Sequence, residues 1–187
     1  DEKYGHAQFG WGGGMEHTTI SFMGGFSRGL IAHELAHQWF GNKITCGSWQ
    51  DIWLNEGFAT YLAALVIEDL DGEASFKNWR QQSVNTITSQ TNGAVYLSDQ
   101  DTTSVNRIFS SRLSYNKGAM VLHMLRRKLG DTDFYQGLQD YLDTPALAFD
   151  FAKTEDFINA MELSTGETLD EFFDDWIYNQ GYPSYTV

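Results

Sequence analysis

The stretch His33-Glu34-Leu35-Ala36-His37 constrains this chain more than any other. On a helix, residues four apart lie on one face, one turn from each other. Ser27 is a candidate N-cap, and Gly41-Asn42 is a stop signal, so the pattern predicts a helix from Ser27 to about Phe40. Eighteen residues after His37 comes Glu56, within Trp53-Leu54-Asn55-Glu56-Gly57-Phe58. A second helix is predicted from about Asp51 to Asp69, with apolar positions Phe58, Tyr61, Leu62, Leu65 and Val66. Two antiparallel helices joined by the short connection 43–50 bring one carboxylate to two imidazoles. That donor set suits Zn²⁺, which catalytic sites hold with three protein ligands and one open position. Glu34 projects beside the pair, where it can take a proton from a water on the metal. Most chance occurrences of so short a pattern lie on exposed helix faces without a third ligand. Here Glu56 is flanked by Trp53, Leu54 and Phe58, a costly setting for an unpaired charge.

Composition narrows the rest. The 187 residues suit one domain, and roughly two-thirds of the unfolded surface disappears on folding at this size. An apolar fraction of 42% and an aromatic fraction of 15% exclude a disordered chain. With 25 acids against 12 Lys+Arg the net charge is -13, which argues against nucleic acid as a partner. No apolar run reaches the ~18 residues of a membrane helix. Cys46 is the only cysteine, so no internal disulfide forms. Between Asp131 and Gln180 thirteen acids face one base, Lys153, a run that reads as solvated helix faces. The opening Asp1-Glu2-Lys3-Tyr4 resembles neither a signal peptide nor a natural start, and the chain is taken as a piece of a longer protein.

Along the chain, Tyr4 to Trp11 and Met15 to Phe22 are predicted strands around the run Gly12-Gly13-Gly14. Asp71-Gly72 is a turn rather than a calcium loop, because the full twelve-residue pattern is missing. Further helices are predicted at 73–89, 114–129, 132–143, 154–164 and 168–179. Residues 91–110 read as a long polar loop, which in a compact domain is more often functional than idle. Pro183 to Val187 reads as an extended segment. The fold class is therefore mainly α with a short N-terminal β segment.

Taken together these residues resemble the aminopeptidase N family of zinc metallopeptidases, gluzincins that include leukotriene hydrolase. Three motifs match in the family's order. Gly13-Gly14-Met15-Glu16-His17 is similar to its G-x-M-E-N, with His17 where Asn is usual. His33-Glu34-Leu35-Ala36-His37 with Glu56 is similar to its metal motif, and Tyr115-Asn116-Lys117-Gly118 to its Tyr-x-Lys-Gly. Trp176 to Pro183 is similar to the end of its catalytic domain, so the resemblance covers nearly the whole chain.

The resemblance implies the helical part of a thermolysin-like zinc peptidase catalytic domain, spanning 1–187 and belonging to a multidomain protein with a β-rich lobe upstream. It implies one Zn²⁺ held by His33, His37 and Glu56, with Glu34 as general base and Tyr115 stabilising the oxyanion. A Tyr at this place is otherwise an ordinary core residue; the adjoining Lys-Gly carries the assignment. It further implies that Gly13, Gly14, Met15 and Glu16 bind a peptide substrate, Glu16 taking its free α-amine. Asp51 and Thr60 are candidate partners for the outer ring nitrogens of the ligating histidines. The expected activity is that of an aminopeptidase. An endopeptidase or epoxide hydrolase using the same metal, or a zinc-binding scaffold without turnover, are the alternatives.

Overall fold

The computed structural model describes residues 3–183. Residues 184–187, most of the C-terminal segment read as extended, lie outside the described part. A small three-stranded sheet stands at the N-terminus: β1 (Gly5–Gln8), β2 (Gly14–Met15) and β3 (Ile20–Met23), in the order β1-β3-β2. β3 runs parallel to β1, Gly5 opposite Ile20, and antiparallel to β2, Met15 opposite Phe22. The predicted strand Met15–Phe22 is thus two strands separated by a turn. Thr19, at φ 67, turns the chain there, and the Gln38 side chain accepts its backbone N–H at 3.0 Å.

Helix α1 (Arg28–Ala36) begins as its sequence predicts, with Ser27 Oγ accepting from Leu30 N at 3.3 Å. It ends four residues earlier than Phe40. The Phe40 carbonyl faces the His37 ring, and Gly41, at φ 143, reverses the chain. A Cβ at Gly41 would lie 3.1 Å from the His37 carbonyl oxygen and 3.2 Å from Nδ1, so glycine keeps room for that ring. Strand β4 (Ile44–Cys46) follows and pairs in parallel with β5 (Asp150–Ala152), a two-stranded sheet that lacked a sequence signal.

Helix α2 (Trp53–Ile87) is broken at Gly72, whose φ of 79 is non-helical, as the Asp71-Gly72 turn predicts. The long polar stretch contains a short 3₁₀ turn, Asp101–Thr103, and helix α3 (Val105–Ile108). Helix 114–129 proves to be two segments, a π-helix over Ser111–Lys117 and α4 (Gly118–Leu129). Helix α5 (Asp131–Asp143) buries Phe134, Leu138 and Tyr141, a helical-period stripe. Helix α6 (Thr154–Thr165) opens with Asp156 accepting from Lys153 N at 2.8 Å and closes at Gly166, φ 73. The last predicted helix is α7 (Asp170–Phe173) continued by a π-helix over Asp174–Tyr178.

The core is largely aromatic. Phe40 and Phe58 stack at 4.2 Å, and Trp53, Tyr141, Phe157 and Phe173 close around them. This cluster fixes the first turns of α2 against the turn after α1, which determines where Glu56 stands. Among the described residues no helix is long and apolar enough to cross a membrane.

Candidate metal centre

Three side chains from two helical elements converge. His33 Nε2 and His37 Nε2 are 3.1 Å apart, and Glu56 Oε2 lies 3.3 Å from the first and 3.4 Å from the second. His33 sits in α1, His37 caps its C-terminus, and Glu56 lies in the first turn of α2. Exposure is 1% for His37, 7% for Glu56 and 3% for Glu34.

The protonation logic of this triangle favours a cation. His37 Nδ1 is 2.9 Å from the Phe40 carbonyl, which can only accept, so Nδ1 carries a hydrogen. In the neutral ring the remaining lone pair is on Nε2, aimed at its neighbours. Glu56 Oε2 is buried without a hydrogen-bond partner. Burial opposes the charged form of both groups, but their mutual attraction outweighs it: His37 is lifted to about 9 and Glu56 held down to about 2. The site therefore draws positive charge inward, and two imidazoles with one carboxylate suit a zinc ion in kind and number. The outer contact of His37 is the Phe40 carbonyl, not Asp51 or Thr60. Asp51 instead accepts from Thr154 N and Oγ1 at 2.9 and 2.8 Å, and Trp53 Nε1 donates to Thr154 Oγ1 at 2.9 Å. This buried network anchors the start of α2 one turn before Glu56.

Glu34 lies beside the triangle, and burial pushes its carboxyl up to about 7. A Cβ on Gly14 would collide with the Glu34 carboxylate, so the glycine permits strand β2 to pass directly over it. Gly13, at φ 81, makes the bend that precedes it. Met15 is 43% exposed, and Glu16 forms a second triangle with Glu34 and His37, their donor atoms all within 4.8 Å. Sequence reasoning missed what holds Glu16 there. Gln38 Nε2 and Asn42 Nδ2 both donate to its carbonyl, at 3.2 and 2.7 Å, tying the end of β2 to the end of α1. His17 is exposed, its ring edge-on to Phe22 at 5.1 Å, and belongs to neither triangle.

Tyr115 reaches the same place from the π-helix. Its ring lies parallel to that of His33, 6.0 Å away at 12°. Burial, and then the charge of Glu56, raise its pKa, so the phenol stays protonated and available as a donor. The extra residue of the π-turn is marked by Tyr115 N donating to Ser110 O, five residues back, at 3.4 Å. Gly57, directly after Glu56, and Gly118, which ends the Tyr115–Gly118 motif, meet one another: a Cβ on Gly57 would lie 3.0 Å from the Gly118 carbonyl carbon. That close crossing of α2 and α4 sets Glu56 beside Tyr115. His33, His37, Glu56, Glu34, Glu16 and Tyr115 all border one cleft of about 1180 Å³.

Comparison with known proteins shows the family to which the chain belongs. The sequence profile described as Peptidase family M1 domain matches residues 27–176. The chain is 38% identical over 165 residues to "Probable aminopeptidase 2" of Sulfurisphaera tokodaii, covering 82% of this chain and 20% of that protein. It is 33% identical over 160 residues to "Aminopeptidase N" of Lactococcus lactis, covering 82% and 19%. It thus spans about a fifth of the length of these curated relatives. The M1 zinc metallopeptidase of Deinococcus radiodurans superposes with a TM-score of 0.85 at 27% identity, over 98% of this chain and 41% of that one. Yeast LTA4 hydrolase gives 0.76 at 27%, over 94% and 31%. The chain is a member of peptidase family M1, and its fold is the mainly helical catalytic architecture of that family's zinc metallopeptidases.

Proposed function

We propose that this chain is the metal-bearing part of a zinc aminopeptidase, which removes N-terminal residues from peptides. The observation that carries the proposal is the closed His33–His37–Glu56 triangle, one corner of which is a buried carboxylate oxygen with no hydrogen-bond donor. In this reading those three side chains hold one Zn²⁺, which when bound supplies a Lewis acid for the scissile carbonyl and acidifies water. Glu34 accepts the proton of the attacking water and passes it to the leaving amine. Tyr115 donates to the carbonyl oxygen as negative charge develops on it. Gly13, Gly14 and Met15 offer backbone to an extended peptide, and the Glu16 carboxylate takes the free α-amine. Two kinds of relative support this: curated proteins named aminopeptidases, and the Deinococcus enzyme, solved with a Tyr-Ser-Ala substrate. Further domains of a longer protein would complete the cleft.

The test compares free and N-acetylated peptides on the zinc-loaded protein. Glu34→Gln keeps zinc and loses nearly all turnover. Removing Glu16 costs free peptides about 2–4 kcal/mol in kcat/KM and blocked ones little. Equal cleavage of blocked and free peptides contradicts the exopeptidase reading and leaves an endopeptidase on the same metal.

A further inference from the structure

The cleft extends beyond the metal centre to a wall that the catalytic roles leave unused. Trp49 and Gln50 from the 3₁₀ turn before α2, and Asp99, Thr102 and Phe109 from the long loop, form it. We propose that this end of the cleft is a subsite for a cationic side chain, lysine or arginine, at one of the two residues flanking the bond that is cut. The proposal rests on the peptidase reading above.

Charge is the first ground. Four carboxylates line the cleft, those of Glu16, Glu34, Glu56 and Asp99, and no Lys or Arg does among the described residues. The first three belong to the two triangles at the metal centre, so Asp99 is the one left over. Its Oδ1 accepts from Gln50 Nε2 at 2.8 Å, while Oδ2 has no donor among the described residues. The cation nearest in sequence on this loop is spent elsewhere: Arg107 donates to the Ala94 carbonyl at 2.7 Å and pairs with Asp101 at 3.6 Å.

Shape is the second ground. Trp49 and Phe109 meet edge-to-face at 6.0 Å, yet Trp49 is 52% exposed and Phe109 41%. A half-exposed indole set edge-to-face with a half-exposed phenyl ring suits the methylene stem and cationic head of Lys or Arg. Gln50 follows Trp49 in sequence, so its hydrogen bond fixes the carboxylate relative to the indole. Thr102 Oγ1 donates to the Asp99 carbonyl at 2.7 Å and steadies the loop from the other side. An apolar side chain would gain the aromatic wall alone, and an acidic one would meet Asp99.

The experiment measures kcat/KM of the zinc-loaded protein on two series, one varied at the N-terminal residue and one at the next. Each series includes Lys, Arg, Glu and norleucine, the last matching the Lys stem without its charge. In one of the series, Lys and Arg should exceed norleucine by about three- to tenfold, the size of a partly exposed charge pair. Asp99→Asn should bring the Lys-to-norleucine ratio to about one, and Asp99→Lys should invert the order of Lys and Glu. Asp99 is exposed, so neither change threatens folding. Equal rates for Lys and norleucine in both series, or a preference untouched by Asp99→Asn, overturns the subsite alone. Failure of the zinc-loaded full-length protein, its cleft complete, to cleave any member of either series overturns the peptidase reading and the subsite with it.

Discussion

Tyr115 presents a parallel ring to His33 and a protonated phenol to the cleft, and these two properties assign it different costs. Tyr115→Phe keeps the stacking and removes the donor. Steady-state kinetics should then show kcat lower by on the order of 10²-fold with KM nearly unchanged, the mark of a contact made in the transition state. A change in KM alone contradicts the oxyanion role. A second residue acts on stability rather than chemistry. His123 is buried beside Tyr61 and Phe76, and burial, with Arg80 and Arg126 nearby, lowers its pKa from 6.5 to about 4. A histidine whose folded pKa is depressed binds its proton more readily when unfolded. Its contribution is therefore full above pH 6.5 and lost as pH falls toward 4. Urea melts at pH 7 and pH 4 should show His123→Gln losing less stability than the parent chain over that interval, by on the order of 2 kcal/mol. Equal acid sensitivity of the two would refute it.

The crossing of α2 and α4 is decided by two glycines, Gly57 directly after Glu56 and Gly118 at the end of the Tyr115–Gly118 motif. Gly57→Ala puts a methyl 3.0 Å from the Gly118 backbone, which cannot yield as a side-chain tip would. Chemical denaturation should show a loss of about 1–3 kcal/mol, with helix content retained and zinc affinity reduced, because the shift separates Glu56 from the histidines. A variant as stable as the parent and equal in zinc affinity contradicts this. The pairing also shows which elements sequence reveals. Helix α5 and the His33–His37 pair were legible because period and spacing are local. The turn of 16–19 was not, since it depends on Gln38 reaching back from α1, and nothing in Met15–Phe22 announces that partner. The π-turn before α4 escaped for a similar reason: its backbone pattern is one residue longer than a helix of the same composition. The parallel pairing of β4 with β5 joins segments about a hundred residues apart, and each strand is only three residues long. The motif residues carry their own spacing in the sequence, but their supports do not: Asp51 serves Thr154, and the Phe40 carbonyl serves His37.

At the scale of the whole molecule, the acidic C-terminal half and the candidate metal centre obey one electrostatic rule. None of the thirteen acids between Asp131 and Gln180 is buried, so water screens them at little cost. The buried acids among the described residues are Glu34, Asp51 and Glu56, and the last two have specific partners inside. Asp51 has its donors, and Glu56 faces two imidazoles across a gap that a divalent cation would fill. Metal binding and folding should therefore be linked, with chelation lowering the melting temperature by mass action. The most direct measurement is zinc content and affinity of the folded chain, by elemental mass spectrometry and calorimetry, for the parent sequence and for Glu56→Ala. One zinc per chain is expected for the parent, and an affinity weaker by on the order of 10²-fold or more for the variant, since one of three ligands is gone. Glu56→Ala with the same zinc stoichiometry and affinity as the parent would contradict the account.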